Sequence, residues 1–187
     1  MRTLTFPAVL LCALFLATAA APVAAQGGDD EGGAKPKPYA VENNELKPSA
    51  PILFADGTDK LLPESERALA AVRDFLNEKT YITLLRIEGH TDAGGDAGGD
   101  TAAAGQQLSE RRALAVARWL VAKGVDCKRV LPVGFGDTKP LAPNDTAENR
   151  RKNRRLAFAI AALRGRLIGG MPADGGGRIA GDPCPAQ

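Results

Sequence analysis

Apolar residues recur at helical spacing in two stretches of the chain. In the first, Leu69, Val72 and Leu76 fall on one face, and charged residues fill much of the opposite side. Pro63 suits the first turn of this helix, because its missing N–H would have no helical partner there. The pattern therefore predicts a helix over residues 63–78.

A second helix is predicted over residues 108–123, and a shorter third helix over residues 145–152. The apolar stripe of the second helix consists of Ala113, Val116, Ala117 and Leu120. Gly124 is placed to end this helix, with Val125 packing back on its last turn. Asp145 and Glu148 could cap the third helix.

Segments of apolar and β-branched residues alternate with these helices and predict four strands. The segments are 52–54, 81–88, 130–135 and 155–160. The core-facing residues are expected to include Leu85, Ile87, Leu156, Phe158 and Ile160. Pro132 cannot donate a ladder hydrogen bond, so its strand should be irregular or at an edge. The order β-α-β-α-β-α-β predicts an α/β (α+β) fold, a sandwich in which helices pack on a mixed four-stranded sheet.

The first 25 residues predict an export signal. Arg2 precedes an apolar run, and small residues lead up to Gln26, where cleavage is expected after Ala25. An uncleaved anchor helix is the alternative, because the run is about long enough to span a bilayer. Pro7 and Pro22 argue against that alternative.

Composition separates the packed region from its flanks. Residues 26–47 and 164–187 are rich in Gly and Pro, which predicts a flexible linker and a flexible tail around a domain over 48–163. Cleavage of the signal would remove Cys12 and leave Cys127 and Cys184. In an oxidising compartment these two could form a disulfide that ties the tail to the domain, or remain free thiols.

Three segments, in order along the chain, resemble the signatures of one family. They are IEGHTDAGG (87–95), LSERRALAVARWL (108–120) and TAENRRKNRRLAF (146–158). Together they resemble the OmpA-like C-terminal domain family, and the segments 51–54 and 124–140 fit the intervening pattern. The resemblance implies a domain that binds peptidoglycan without a covalent bond, through the free end of diaminopimelate in the stem peptide.

The resemblance also implies which residues hold that ligand. Asp92 corresponds to the residue that pairs with the ligand's ammonium, and Arg112 to the residue that holds its carboxylate. Such a division suits a zwitterion, and the planar fork of Arg can donate two parallel hydrogen bonds to a carboxylate. Thr91 and Arg150 are implied beside the site. Arg154 and Arg155 belong to an Asn-Arg-Arg signature and are expected to have a structural role, pairing with carboxylates and helix ends near the last strand.

Two departures from the family pattern favour an alternative function. Gly105 stands where family members usually have Asn, so one polar contact is expected to be missing. The loop from Asp92 to Arg112 is also longer than usual, largely because the sequence DAGG occurs twice. A domain with these changes could instead be a structural or assembly factor that binds envelope proteins and no longer binds the wall.

The remaining chemistry gives no signature of catalysis. The formal net charge is +2, which offers no nucleic-acid surface, and His90 is the one histidine, expected to be a structural hydrogen-bonding residue. Asp92, Asp96 and Asp100 recur at every fourth position, but calcium loops place their oxygen ligands more densely. We therefore expect no catalytic residue, no metal and no cofactor. The prediction is an exported, non-enzymatic protein of the periplasm and outer membrane, with peptidoglycan and envelope proteins as candidate partners.

Overall fold

The computed structural model describes residues 37–94, 101–170 and 174–184. The predicted signal peptide (1–25) and residues 26–36 of the predicted linker lie outside these ranges. The helices are α1 Glu66–Glu78, α2 Ala102–Ala122 and α3 Ala147–Asn153. The strands are β1 Tyr39–Glu42, β2 Glu45–Pro48, β3 Ile82–His90, β4 Val130–Gly136, β5 Arg155–Leu163, β6 Arg166–Leu167 and β7 Arg178–Ile179.

The strands form one mixed sheet in the order β1-β2-β5-β3-β4-β7, with β6 paired to β5. Strands β3 and β4 are parallel, and the other pairs are antiparallel. The parallel pair needs a long crossover, which α2 supplies. The predicted class, helices packed on a mixed sheet, is confirmed, although the sheet has seven strands and not four.

One hydrophobic core lies between the helices and the sheet. The predicted helical stripes are confirmed, since Val72 of α1 and Leu120 of α2 are fully buried together with Leu85 of β3. Phe158 and Ile160 of β5 also belong to this core, on the side of the sheet. This core fixes α1 and α2 over the sheet, so residues at the ends of β3 and α2 are held by rigid elements.

Helix α2 approaches the sheet closely where the strands carry glycine. A Cβ atom built on Gly89 of β3 would overlap the backbone carbonyl of Ser109. One built on Gly134 of β4 would lie 2.6 Å from the Ser109 hydroxyl oxygen. These glycines let the helix backbone rest almost directly on β3 and β4, immediately before the strand ends.

The predicted linker is wrong over residues 39–47, because β1 and β2 form a hairpin that adds to the sheet. Asn43 and Asn44 form its two-residue turn with φ angles of 51° and 61°, a conformation that Asn tolerates. Leu46 is 1% exposed and pairs with Phe158 of β5. The predicted strand 52–54 is wrong, because this segment forms only one bridge, between Phe54 and Leu61. The strand that pairs with β5 at this side of the sheet is β2.

The predicted flexible tail is also wrong in its described parts, because they return to the sheet. Strand β6 folds back and pairs antiparallel with the end of β5, and Ile179 of β7 pairs with Val133 of β4. Between them, the Gly170 carbonyl accepts a hydrogen bond of 2.7 Å from Arg86 Nη1. Of the two alternatives left open for the cysteines, the structure has the disulfide, Cys127–Cys184, with Cα atoms 5.1 Å apart.

Two helix starts differ from the prediction. Helix α2 begins at Ala102 and not at 108, because the Thr101 hydroxyl accepts a hydrogen bond from the Ala104 N–H at 3.3 Å. Thr146, not Asp145, caps α3 in the same way. The predicted end of α2 is confirmed, with Gly124 at a φ of 94°. No helix within the described ranges has both the length and the apolar character needed to cross a membrane.

We expect Cys184→Ser to destabilise the protein by about 4 kcal/mol, the chain-entropy value for closing a loop of this length. The two cysteines are 57 residues apart, and β7, just before Cys184, consists of two exposed residues. Urea unfolding of the oxidised protein and the variant measures the difference. The double variant Cys127→Ser/Cys184→Ser controls for a stray thiol and should match the single variant; an unchanged midpoint would contradict the prediction.

Candidate functional site

The residues directly after β3 place a buried carboxylate at the edge of the sheet. The Thr91 N–H donates to the Gly136 carbonyl at 2.9 Å, which continues the pairing of β3 with β4. Thr91 and Asp92 are 2% and 3% exposed. Asp92 Oδ2 accepts a hydrogen bond from Arg154 Nη1 at 2.7 Å. Within the described residues, Asp92 Oδ1 and Thr91 Oγ1 have no hydrogen-bond partner.

Arg112 projects from α2 toward the turn that follows Phe54. Its Nε donates to the Thr58 carbonyl at 2.8 Å, and its guanidinium carbon lies 5.0 Å from the Phe54 ring centroid. Burial lowers the pKa of Arg112 from its ordinary value, and the charge of Arg154 acts in the same direction. Both effects show a guanidinium withdrawn from water and close to a second cation, a setting that strengthens its attraction for an anion.

Three adjoining cavities lie beside these residues, and we call them together the trough. Their volumes are about 290, 220 and 40 Å³, and all three share Ile52 and Arg154. Arg112 lines the second and third cavities, while strand β2 forms one wall of the first. The charged residues along the trough are Lys47, Arg112, Arg154 and Arg155, with Glu45 and Asp56 as the carboxylates. The three arginines outnumber the two carboxylates that line the trough, while Lys47 is paired with Glu42 and Arg154 with Asp92.

Arg154 connects the trough to the carboxylate at the end of β3. Its side chain is 31% exposed, whereas that of its partner Asp92 is 2% exposed. The expectation that Arg154 pairs with a carboxylate is confirmed by this contact. That Arg154 also lines every part of the trough was not predicted from the sequence. The only signal in the sequence was its place in the Asn-Arg-Arg signature.

Arg150 lies outside the set of trough-lining residues and supports the neighbouring loop. Its Nη1 donates to the Asn144 carbonyl at 3.0 Å. The Asn144 side-chain oxygen accepts hydrogen bonds from the Ala93 N–H, at 3.2 Å, and from Asn153 Nδ2, at 2.9 Å. This network fixes the residue that follows Asp92. Asn144 and the fully buried Asn153 were missed from the sequence, where only the Asn-Arg-Arg signature gave a signal.

Gly105 lies beside the unpartnered threonine. A Cβ atom built there would stand 3.0 Å from Thr91 Oγ1. A longer polar side chain at this position would therefore reach the threonine, so the glycine agrees with the expected loss of a polar contact. Asp96, Asp100 and most of the repeated DAGG segment lie outside the described residues. Among the residues that the structure describes, no group of three or more His, Cys, Asp or Glu could hold a metal ion.

His90 is packed under the end of the sheet. It is 3% exposed, and its ring stacks on Phe135 with centroids 5.2 Å apart. The expectation of a hydrogen-bonding histidine is not met within the described residues, because neither ring nitrogen has a hydrogen-bond partner. Its Nε2 lies 3.5 Å from Glu88 Oε2, which is too long for a good bond. Burial lowers the pKa of His90; Arg155 and Lys139 lower it further, and Glu88 opposes them.

This buried histidine predicts a pH-dependent stability. Because the pKa of His90 is lower in the folded protein, the unfolded chain binds a proton first as the pH falls below about 6.5. The free energy of unfolding should therefore fall with pH below 6.5, by up to about 1.4 kcal/mol per pH unit. Urea unfolding at pH 7.5, 6.0 and 5.0 measures the slope. His90→Gln should flatten it, whereas the lowered pKa of Glu88 acts only below about 4.5; a slope unchanged in His90→Gln would contradict this assignment.

Helices α1 and α2 packed on a mixed sheet, a buried carboxylate after β3 and an arginine of α2 in the neighbouring trough define an OmpA-like domain. The model of the OmpA family matches residues 53–154. The chain therefore belongs to the OmpA family.

Named relatives agree with this assignment. The outer-membrane lipoprotein YfiB of Pseudomonas aeruginosa is 36% identical over 121 residues, covering 65% of this chain and 68% of the relative. The peptidoglycan-binding protein ArfA of Mycobacterium tuberculosis is 36% identical over 110 residues, 59% of this chain but 32% of the relative. The cell wall anchor of the T6SS from Pseudomonas aeruginosa superposes with a TM-score of 0.54 at 27% identity, covering 67% of this chain and 87% of that structure.

Proposed function

We propose that this protein binds peptidoglycan non-covalently and acts as an anchor in the cell envelope. Membership of the OmpA family supports the proposal, as do the relatives named for peptidoglycan binding and for anchoring to the cell wall. The outer-membrane name of YfiB supports a place in the periplasm or at the outer membrane. The role is one of binding, without catalysis.

The observation that carries the proposal is Asp92 Oδ1, which has no hydrogen-bond partner in the described part of the chain. A buried carboxylate oxygen without a hydrogen bond is costly, and a ligand donor would remove that cost. An ammonium group is such a donor. Arg112 lines the adjoining trough and can hold a carboxylate. Asp92 contacts Arg154, which lines the trough together with Arg112, and a ligand that carries both charges on one carbon needs one partner of each sign.

We infer that this ligand is the free end of diaminopimelate in the stem peptide. Its ammonium binds Asp92, and its carboxylate binds the guanidinium of Arg112. Thr91 adds a hydroxyl beside Asp92, and Arg150 acts through the Asn144 loop that holds the residue after Asp92. Single-site affinity need not be high, because the wall presents many such sites.

The second candidate is an envelope assembly factor that binds proteins. Gly105 favours it, since Thr91 Oγ1 beside this glycine has no hydrogen-bond partner among the residues that the structure describes. This candidate predicts a folded protein that does not bind the wall.

Co-sedimentation with purified sacculi of the diaminopimelate type tests the proposal. The wild-type protein should pellet, whereas Asp92→Ala and Arg112→Ala should stay in the supernatant. Arg111→Ala is the matched control, because Arg111 is an exposed neighbour on the same helix, and it should pellet as wild type does. Circular dichroism confirms that each variant is folded. A folded wild-type protein that remains soluble with sacculi would favour the assembly factor.

A further inference from the structure

Arg154 has more donors than its described contacts use. A guanidinium has five N–H donors, and the described residues supply Arg154 with one side-chain hydrogen bond, from Nη1 to Asp92. The remainder of this partly exposed group borders all three cavities of the trough. Arg154 therefore lies between the cavities that Arg112 lines, where the diaminopimelate end is inferred to bind, and the first cavity beside β2.

The charges along the trough exceed what a zwitterion requires. One carboxylate and one cation, Asp92 and Arg112, satisfy the free end of diaminopimelate. Arg154, which donates to Asp92 through Nη1, adds a further positive charge beside them. Arg155 lines the continuing cavity against Glu45, whereas Lys47 is paired with Glu42 at 2.7 Å. Burial also lowers the pKa of Arg155, whose guanidinium donates to the Lys139 carbonyl at 3.2 Å. A ligand with one more anionic group, close to its zwitterionic end, would match this surplus.

The wall of that cavity belongs to a segment beyond the family match. The match begins at residue 53, whereas the cavity is walled by Glu45, Leu46, Lys47 and Pro48 of β2. The wall is firmly placed, because Leu46 is buried in the core and paired with Phe158 of β5. Strand β2 thus forms a wall of the cavity that adjoins Arg154, next to the cavities that Arg112 lines.

We propose that Arg154 is a specificity-determining residue that binds a second carboxylate, the α-carboxylate of the isoglutamate joined to diaminopimelate. In a stem peptide this residue is linked through its γ-carboxyl, so its α-carboxylate is free unless it is amidated. The proposal rests on the proposed function, and it adds that the protein distinguishes stem peptides with free isoglutamate from those with isoglutamine.

Titration calorimetry with two synthetic tripeptides tests this. L-Ala-γ-D-Glu-diaminopimelate and its D-isoglutamine counterpart differ in one carboxylate. The wild-type protein should bind the free-acid peptide at least roughly 10-fold more tightly, as expected for a charge-assisted hydrogen bond. In Arg154→Gln both affinities fall, because Asp92 loses its partner, but their ratio should approach one. Arg151→Gln, an exposed arginine of α3, should keep the wild-type ratio.

The outcomes separate the two proposals. If a folded wild-type protein binds neither peptide, the proposed function fails. If it binds both equally, or if the ratio persists in Arg154→Gln, the assignment of Arg154 is overturned while peptide binding stands. A tetrapeptide ending in D-Ala provides the last arm. In it, D-Ala blocks the diaminopimelate carboxylate at the centre that is linked to isoglutamate, and the zwitterionic end stays free. If this block changes the affinity and amidation of isoglutamate does not, Arg154 binds that diaminopimelate carboxylate and the isoglutamate assignment is wrong.

Discussion

Replacing Asp92 with Asn should lower the affinity for a diaminopimelate tripeptide by roughly 10- to 150-fold, the equivalent of about 1.5–3 kcal/mol for a hydrogen bond to a charged group. Asn keeps the size of the side chain and one oxygen, so the contact with Arg154 can persist in a weaker form. The change removes the negative charge that should attract the ligand's ammonium. Because the Asp92 side chain is 2% exposed, water can do little to replace that charge.

Titration calorimetry of wild type and Asp92→Asn with the same tripeptide measures the loss. Asp74→Asn is the control, since Asp74 is exposed on α1 and its ion pair with Arg73 lies at the surface; its affinity should equal that of wild type. Thermal unfolding shows whether each variant is folded. An Asp92→Asn variant that is folded and binds within twofold of wild type would remove Asp92 from the site.

Gly89→Ala should destabilise the fold by about 3 kcal/mol, at the upper end of the usual cost of overpacking. The new methyl group would overlap the carbonyl of Ser109, which belongs to the backbone of α2 and cannot rotate away. Helix α2 would have to move off the sheet, and Arg112 would move with it. Peptide affinity should therefore fall together with stability.

Gly169→Ala is the matched control for this change. A Cβ atom on Gly169 would meet Ala161 Cα at 3.6 Å, an ordinary van der Waals distance. Urea unfolding should place this variant within about 0.5 kcal/mol of wild type, as for most surface substitutions. A Gly89→Ala variant as stable as Gly169→Ala would mean that the close approach of α2 to β3 is not required for the fold.

The long elements of this fold could be predicted from sequence because each buries a regular apolar face. The stripe of α1 and the alternation of β5 span several turns or several residue pairs, so their period is visible. Strand β2 buries one apolar residue, Leu46, and β6 and β7 have two residues each. No period can be read from elements so short. Their positions depend on the turn at Asn43 and on partners far away in the sequence, Phe158 for β2 and Cys127 for the tail.

The candidate site could be predicted in part for a related reason. Asp92 lies just after β3 and Arg112 lies in the middle of the long helix α2, so the signatures of these two elements located them. Arg154 was expected to pair with a carboxylate, but a sequence does not show that one guanidinium reaches Asp92 and also borders the trough. Asn153 holds the loop at Leu141 and Ala142 through hydrogen bonds to their backbone. An irregular loop of this kind leaves no pattern in the sequence. Three-dimensional contacts between separate segments, rather than local propensity, decide these roles.

The most direct test of the central claim is to compare two tripeptides that differ at the third residue, diaminopimelate or L-lysine. Both peptides present an ammonium to Asp92, but lysine lacks the carboxylate that Arg112 should hold. The purified protein should bind the diaminopimelate peptide roughly 10-fold or more tightly than the lysine peptide, and Arg112→Ala should remove the difference. Equal affinity of the wild-type protein for the two peptides would contradict recognition of the zwitterionic end by Asp92 and Arg112.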